Sequence, residues 1–302
     1  MLRYIAVVTL VVNQLSAVEE PYRLHLNYTA MHRGTVSAEQ AALWAAPAMN
    51  GKPFVILGPA SGEPVYLRFI EDQAAVMPAP GTSFGWNAAE LLVTDPDRLA
   101  AELEGSAFRV IGEPRDLWAA PDAPRAMQAL GPAGELLYFT RVIPSAFRIP
   151  MTPASSPVDR IFIMVVGGPS MAAMQNWYRD ALGLKPGAAS AWQINTLSQA
   201  LKLPPETRYQ LSIAPMPRDF EIELDEYPSV SKPRAARAGS LPPGIAMVSI
   251  GVDRLADLRV DWRAPPARIA DFPYNGRRTA VTTGPAGEWL EFIEATTPAV
   301  PK

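Results

Sequence analysis

The chain has 302 residues, close to half of them hydrophobic, with 19% charged residues, a net charge of −3, no cysteine and two histidines. This excludes wholesale disorder, disulfides, thiolate metal centres and cysteine nucleophiles. With no basic block or zinc-finger spacing, a nucleic-acid partner is not expected. With only His25 and His32 available, histidine-based metal and general-base sites are strongly restricted.

In chain order, MLRYIAVVTLVVNQLSAVEE comes first: an arginine, an apolar run and then small residues. It has the outline of a secretory signal, and equally of a buried β-branched strand leading into a helix. KPFVILGPASGEPVYLRFIE predicts a hairpin turning at Pro-Ala-Ser-Gly. GWNAAELLVTDPDRLAAELEGS predicts a strand and then a helix opened by Asp and Pro. Strands around FRVIGEPRDL, RAMQALGP and ELLYFTRV follow. Beyond the proline-rich VIPSAFRIPMTPASSPV the plan recurs, through YQLSIAPMPRDFEIELDEYP and IAMVSIGVDRLADL. MPAPG and YPSVSKPRAARAGSLPPG read as joints, because proline disfavours helix and central strand. The basic run SKPRAAR reads as a solvated linker or as a lid over an acidic ligand. No apolar stretch reaches the ~20 residues of a spanning helix, so no membrane partner is expected.

The chain repeats itself. RYIAVVTLVVNQLSAVEEPYRLHLNY from Arg3 aligns without a gap on DRIFIMVVGGPSMAAMQNWYRDALGL from Asp159, an offset of 156. Ile5 meets Ile161, Val7 meets Ile163, and Tyr22-Arg23 meets Tyr178-Arg179. GPAGELLYFTRV (131–142) aligns on GPAGEWLEFIEA (284–295), with Gly-Pro-Ala-Gly-Glu identical. The unit of strand, helix and about three strands is expected four times. The halves are expected as domains 1–142 and 158–296, with a linker at 143–157 and a tail at 297–302. Because the repeat begins at Arg3, cleavage after Ala17 would remove the first strand, and Leu15 occupies a position where a signal peptidase wants a small residue. The opening run is therefore read as a core strand and the location as cytoplasmic.

VDRIFIMVV…MQNWYRDALGL, FEIELDEYP, GIAMVSIGVDRLADL and GPAGEWLEFIEA resemble the vicinal oxygen chelate superfamily, which includes glyoxalase I, bleomycin-resistance proteins and type I extradiol dioxygenases. The resemblance implies an α+β fold: four βαβββ modules forming two tandem domains with cup-shaped mixed sheets. Members hold a divalent metal on the cup floor with His or Gln, Glu, His and Glu from the first and last strands of two modules. Carried over, those positions fall on Arg160, Glu223, Met247 and Glu291 in the second half. In the first half they fall on Tyr4, Leu67 or Arg68, Ala88 and Tyr138. Arginine cannot deprotonate to coordinate, and methionine is a poor ligand for hard ions, so neither a metal nor another cofactor is expected.

Arg160, Glu223 and Glu291 are candidate catalytic residues, with Arg160 polarising an oxygen and a glutamate moving a proton. The same three would equally serve as an internal ion pair filling a decayed metal site. Tyr138 is a candidate oxyanion donor and His32 a candidate general base. The alternatives are a core tyrosine and an exposed loop histidine. Tyr4, Arg68, Trp86, Asn87, Trp192, Met247 and Trp289 are candidate substrate-binding residues, or core filling. His25 is read as a helix surface or packing residue. The expected function is a metal-independent lyase or isomerase acting on an apolar or aromatic metabolite. The alternatives are a binding or sequestering protein and a metal-dependent dioxygenase or glyoxalase. A small molecule is the expected partner of a monomer or homodimer.

Overall fold

The computed structural model describes residues 1–143 and 151–295, so the tail at 297–302 and residues 144–150 of the joint between the halves lie outside the described residues. The opening apolar run forms strand β1 (Leu2–Val12), and α1 (Ser16–Leu26) follows directly. β2 (Thr29–Thr35), the short α2 (Ala38–Leu43), β3 (Pro53–Gly58) and β4 (Tyr66–Glu71) complete the first module. The second has β5 (Gly85–Val93), α3 (Pro96–Leu103), β6 (Arg109–Asp116), β7 (Arg125–Leu130) and β8 (Leu136–Arg141). Asp95 opens α3 by accepting from the Asp97 and Arg98 amides, the cap that its sequence signals.

The third module has β9 (Val158–Gly168), α4 (Met171–Asp180), β10 (Ser190–Gln193), α5 (Asn195–Leu201), β11 (Arg208–Met216) and β12 (Phe220–Glu226). The fourth has β13 (Gly244–Val252), β14 (Ala267–Arg268), β15 (Arg278–Thr283) and β16 (Trp289–Glu294). Here one expectation fails: a single 3-10 turn, Leu255–Asp257, replaces the helix. The apolar residues that follow are Leu258, Val260 and Trp262, and all three pack on the core. That spacing of two suits extended chain and cannot form one helical face.

The eight-stranded sheets do not follow the expected division into 1–142 and 158–296. One runs β14-β15-β16-β13-β1-β4-β3-β2 and the other β10-β11-β12-β9-β5-β8-β7-β6. The first and fourth modules share a sheet, and so do the second and third, joined antiparallel through β1–β13 and β5–β9. Each sheet thus takes one module from each half. The physical reason is that β1 and β5 are buried along nearly their whole lengths and need a neighbour on both edges; β4 and β8 supply one, and the other half supplies the second.

One core is common to both sheets and takes in α1, α3 and α4 through Tyr22, Leu99 and Tyr178. The repeated Gly-Pro-Ala-Gly-Glu is part of it. Tyr22 donates to Glu135 at 2.7 Å, and Tyr178 donates to Glu288 at 2.9 Å. Each glutamate also accepts from the turn, at Ala133 N and Ala286 N. Burial raises both carboxyls to a pKa of about 7, so the motif is a buried, satisfied turn that docks a helix.

Candidate functional site

The two cups carry related positions and differ in what occupies them. In the first, β1, β4, β13 and β16 bring together Thr9, Arg68, Met247, Ser249 and Glu291. Arg68 lies 3.5 Å from Glu291, and its Nε and Nη2 donate to Thr9 at 3.0 and 2.9 Å. Glu291 accepts from Trp44 at 2.8 Å, Tyr274 at 2.9 Å and Ser249 at 2.5 Å. Arg68 also donates to Tyr274 at 2.7 Å and sits over the Trp44 ring at 4.8 Å. All of these side chains are fully buried, in a cluster that also holds Met49, Phe54 and Leu241. This cup is filled by the protein itself.

The second cup is open. On β12, Phe220, Ile222 and Leu224 enter the core, so Glu221, Glu223 and Asp225 face the concave side. On β5, Ala89 and Leu91 face the core, which leaves Ala88 and Glu90 on the concave side; on β8, Leu137 and Phe139 leave Leu136 and Tyr138 there. Register sets Glu221, Ile163, Glu90 and Tyr138 across the floor, with Glu223, Val165, Ala88 and Leu136 beside them. Above lies a cavity of about 270 Å³, walled by Ala88, Ile111, Leu136, Val165 and Leu197, with Tyr138, Asp225 and Tyr227 among its polar groups. Tyr227 reaches it because Gly167 lets the ring lie on β9: a Cβ there would meet the ring at 2.5 Å.

The difference between the cups begins at one residue. In the first module, the residue after α2 is Trp44, which plugs the cup. In the third, the residue after α5 is Lys202, which is left-handed and exposed. α5 instead stays at the wall, where Thr196 meets the Tyr138 hydroxyl at 3.0 Å.

The open cup concentrates carboxyls. Asp225 is 3% exposed, its Oδ1 has no hydrogen-bond partner, and burial pushes its pKa up to about 8. Burial, and then the charges of Asp225, Glu90 and Glu221, hold Glu223 well above the usual carboxylate range. Burial raises Glu90 to about 7 against the 2.5 Å hydrogen bond from Thr140. Burial and Asp219 raise Glu221. Burial first, and the neighbouring carboxylates next, push the Tyr138 hydroxyl upward, so it remains a neutral donor at ordinary pH.

Of the candidate catalytic residues, Tyr138 and Glu223 meet in this cup. Glu291 lies in the other sheet, and the guanidinium facing it is that of Arg68, not Arg160. Arg160 lies over the Phe220 ring at 4.7 Å, with Nη1 unpartnered and its pKa lowered by burial. His32 is on edge strand β2, not in a loop, half-buried between Phe54 and Phe272. His25 is on α1, near Phe108.

Tyr4 falls short of the floor, its ring packed over Gly251, where a Cβ would meet it at 2.7 Å, because β1 shifts register at three places. Arg68, Met247 and Trp289 line the filled cup, and Arg263 stacks on Trp289 at 3.5 Å. Trp86 is core, donating to the Trp289 carbonyl, and Asn87 is spent on the Ser83 and Gly85 carbonyls. Trp192 is 48% exposed on β10. SKPRAAR is neither lid nor free linker. Arg234 donates to Ile245 O at 2.7 Å in one sheet and Trp86 O at 2.6 Å in the other, and Arg237 pairs with Asp72.

Sequence reasoning missed Glu90, Asp225 and Tyr227. The signal was available: FEIELDEY alternates apolar and acidic residues along a strand, and Glu90 is the lone charge in an apolar one.

The donor sets do not fit a metal. In the filled cup a guanidinium already faces the one carboxylate. In the open cup there is no histidine, and the acidic side chains belong to separate positions on β5 and β12. Among the described residues no three ligating side chains converge on a common point.

No protein-family model and no curated protein matches the sequence. Solved structures do. Glyoxalase I from Zea mays matches with a TM-score of 0.64 at 12% identity, over 96% of this chain and 92% of that one. A Bacillus subtilis protein proposed to be a dioxygenase matches with a TM-score of 0.63 at 11% identity, over 98% of this chain and 86% of that one. At these identities the likeness concerns the fold, which hosts many chemistries. Among the described residues no helix is long and apolar enough to cross a membrane. Four modules, two curled mixed sheets and these structural matches give the chain the vicinal oxygen chelate fold in tandem form.

Proposed function

We propose that this chain is an acid–base enzyme, a lyase or isomerase, that handles a small, largely apolar or aromatic molecule in the open cup without a metal ion. The observation that carries the reading is Asp225: a buried carboxyl with an unpartnered oxygen at the wall of a cavity of about 270 Å³, its pKa raised to about 8. Near neutral pH such a group holds a proton it can still release, so it can serve as acid and base within one turnover. Glu223, on the same face of β12, is the second carboxyl. Tyr138, kept neutral and oriented by Thr196, supplies a hydrogen bond to an oxygen that gains charge. A proton taken from one atom is returned to another in an isomerisation, or its loss is matched by a leaving group in an elimination, and neither needs an external oxidant.

The test is incubation of the protein with a cell extract in D2O, followed by mass spectrometry and proton NMR. The expected outcome is conversion of one compound with solvent deuterium incorporated, unaffected by EDTA. Asp225→Asn should lower the rate roughly 100-fold or more while the compound still binds. A compound retained but never converted would make the protein a binder and overturn the enzyme reading. Loss of turnover on chelation would overturn metal independence.

A further inference from the structure

We infer that the open cup takes a small organic cation, a protonated amine whose ammonium group lies against Asp225, the carboxyl at the cavity wall, with Glu223 next to it on β12, and whose apolar remainder covers the cavity walls. The inference rests on the preceding reading for the position of the ligand, not for the chemistry done on it.

The argument comes from comparing the two cups. Both have a glutamate on the last strand of a second-half module: Glu291 on β16 and Glu223 on β12. In the filled cup, the last strand of the partner module supplies Arg68, and the cup closes around that ion pair. In the open cup, the corresponding strand, β8, supplies Tyr138, which carries no charge. Yet this cup holds more acid: Glu90, Glu221, Glu223 and Asp225 share its concave face. Among the described residues, none of the four forms an ion pair.

The other charged and titratable groups nearby do not fill that role. Arg109 lines the cavity from β6 but is exposed, and Arg234, beside Tyr227, is committed to Ser83, Trp86 and Ile245. Tyr138 and Tyr227 are neutral donors whose rings also suit a cation. Buried carboxyls without a partner cation are costly when ionised, so they stay protonated until a cation enters. An ammonium guest supplies the charge that Arg68 supplies in the first cup. The apolar wall formed by Ile111, Leu136, Val165 and Leu197 suits an organic body better than a hydrated metal ion.

The experiment is isothermal titration calorimetry at pH 7 with three probes of similar shape: 2-phenylethylammonium, 2-phenylethanol and 3-phenylpropionate. The expected order is ammonium first, by about tenfold or more in Kd over the alcohol, with the carboxylate not binding. Ammonium binding should release protons, read as a heat that differs between phosphate and PIPES buffers. Asp225→Asn, and separately Glu223→Gln, should weaken the ammonium about tenfold and leave the alcohol within a factor of two. Because both variants stay close in shape, their circular dichroism should match the wild type. The inference is overturned if the ammonium fails to bind, if the alcohol or carboxylate binds as well, if both variants bind the ammonium normally, or if Mg2+ or Ca2+ occupies the cup instead. The acid–base reading fails separately: a neutral metabolite converted with dependence on Asp225 would keep that reading and sink this one.

Discussion

Replacing Asp225 with asparagine should change how stability depends on pH, and the size of the change follows from burial. The folded-state pKa of Asp225 is raised from 3.8 to about 8. Between those values the native state keeps a proton that the unfolded chain has released. The contribution of this group is therefore complete below about pH 4, falls as pH rises, and is gone above about pH 8. For one proton the slope is about 1.4 kcal/mol per pH unit, so from pH 5 to pH 7 the loss is roughly 3 kcal/mol. That is a large share of a typical stability of about 5–15 kcal/mol. Asparagine has the same shape and does not titrate. Urea unfolding of both proteins at pH 5, 6 and 7, in phosphate to keep amines out of the cup, reads the effect directly. The variant should gain on the wild type with each unit of rising pH. Some of the slope persists in the variant, because Glu223 is also raised by burial. Curves that run parallel across this interval would show that Asp225 ionises freely, and the case for it as an acid–base group would fall with them.

Other perturbations test the rest of the structure. Arg68→Met leaves Glu291 buried without its cation and should cost about 3–5 kcal/mol in urea unfolding, whereas adding Glu291→Leu should restore most of it; a single-variant loss below about 1 kcal/mol would mean the pair does not hold the filled cup together. Tyr22→Phe and Tyr178→Phe each remove one hydrogen bond to a buried glutamate, and each should cost about 1–2 kcal/mol, because the two sites share one geometry. Clearly unequal costs would contradict the equivalence of the two turns. Ala88→Leu, at a position 1% exposed on the cavity wall, should fill space and abolish 2-phenylethylammonium binding while leaving the fold intact by circular dichroism. Unchanged binding in that variant would place the ligand elsewhere.

Much of the architecture was legible in the residues. The two aligned stretches and the identical Gly-Pro-Ala-Gly-Glu turns mark equivalent modules, since the same alternation and the same turn chemistry produce the same local structure twice. Local patterns also placed most strands, because continuous apolar runs such as β1 and β5 and the alternation in β12 are written into each strand's own residues. The site was less legible. Carrying the resembled family's first-strand position over to β1 pointed to Tyr4, whereas the floor lies at Thr9, opposite Arg68; irregular register within the strand moves the floor by amounts that no alternation records.

The sequence by itself determined the modules and their repeat, because these depend on neighbours a few residues apart. Only the tertiary structure decided which modules share a sheet, and with that, which charges meet. Arg160 and Glu291 are in the same half of the chain yet on different sheets, while Arg68 and Glu291, more than 200 residues apart, form the buried pair. The same choice left Glu90 and Asp225 on a concave face where, among the described residues, neither forms an ion pair. Strand pairing across the halves depends on packing both sheets against one core, a condition on the whole chain that no short segment contains.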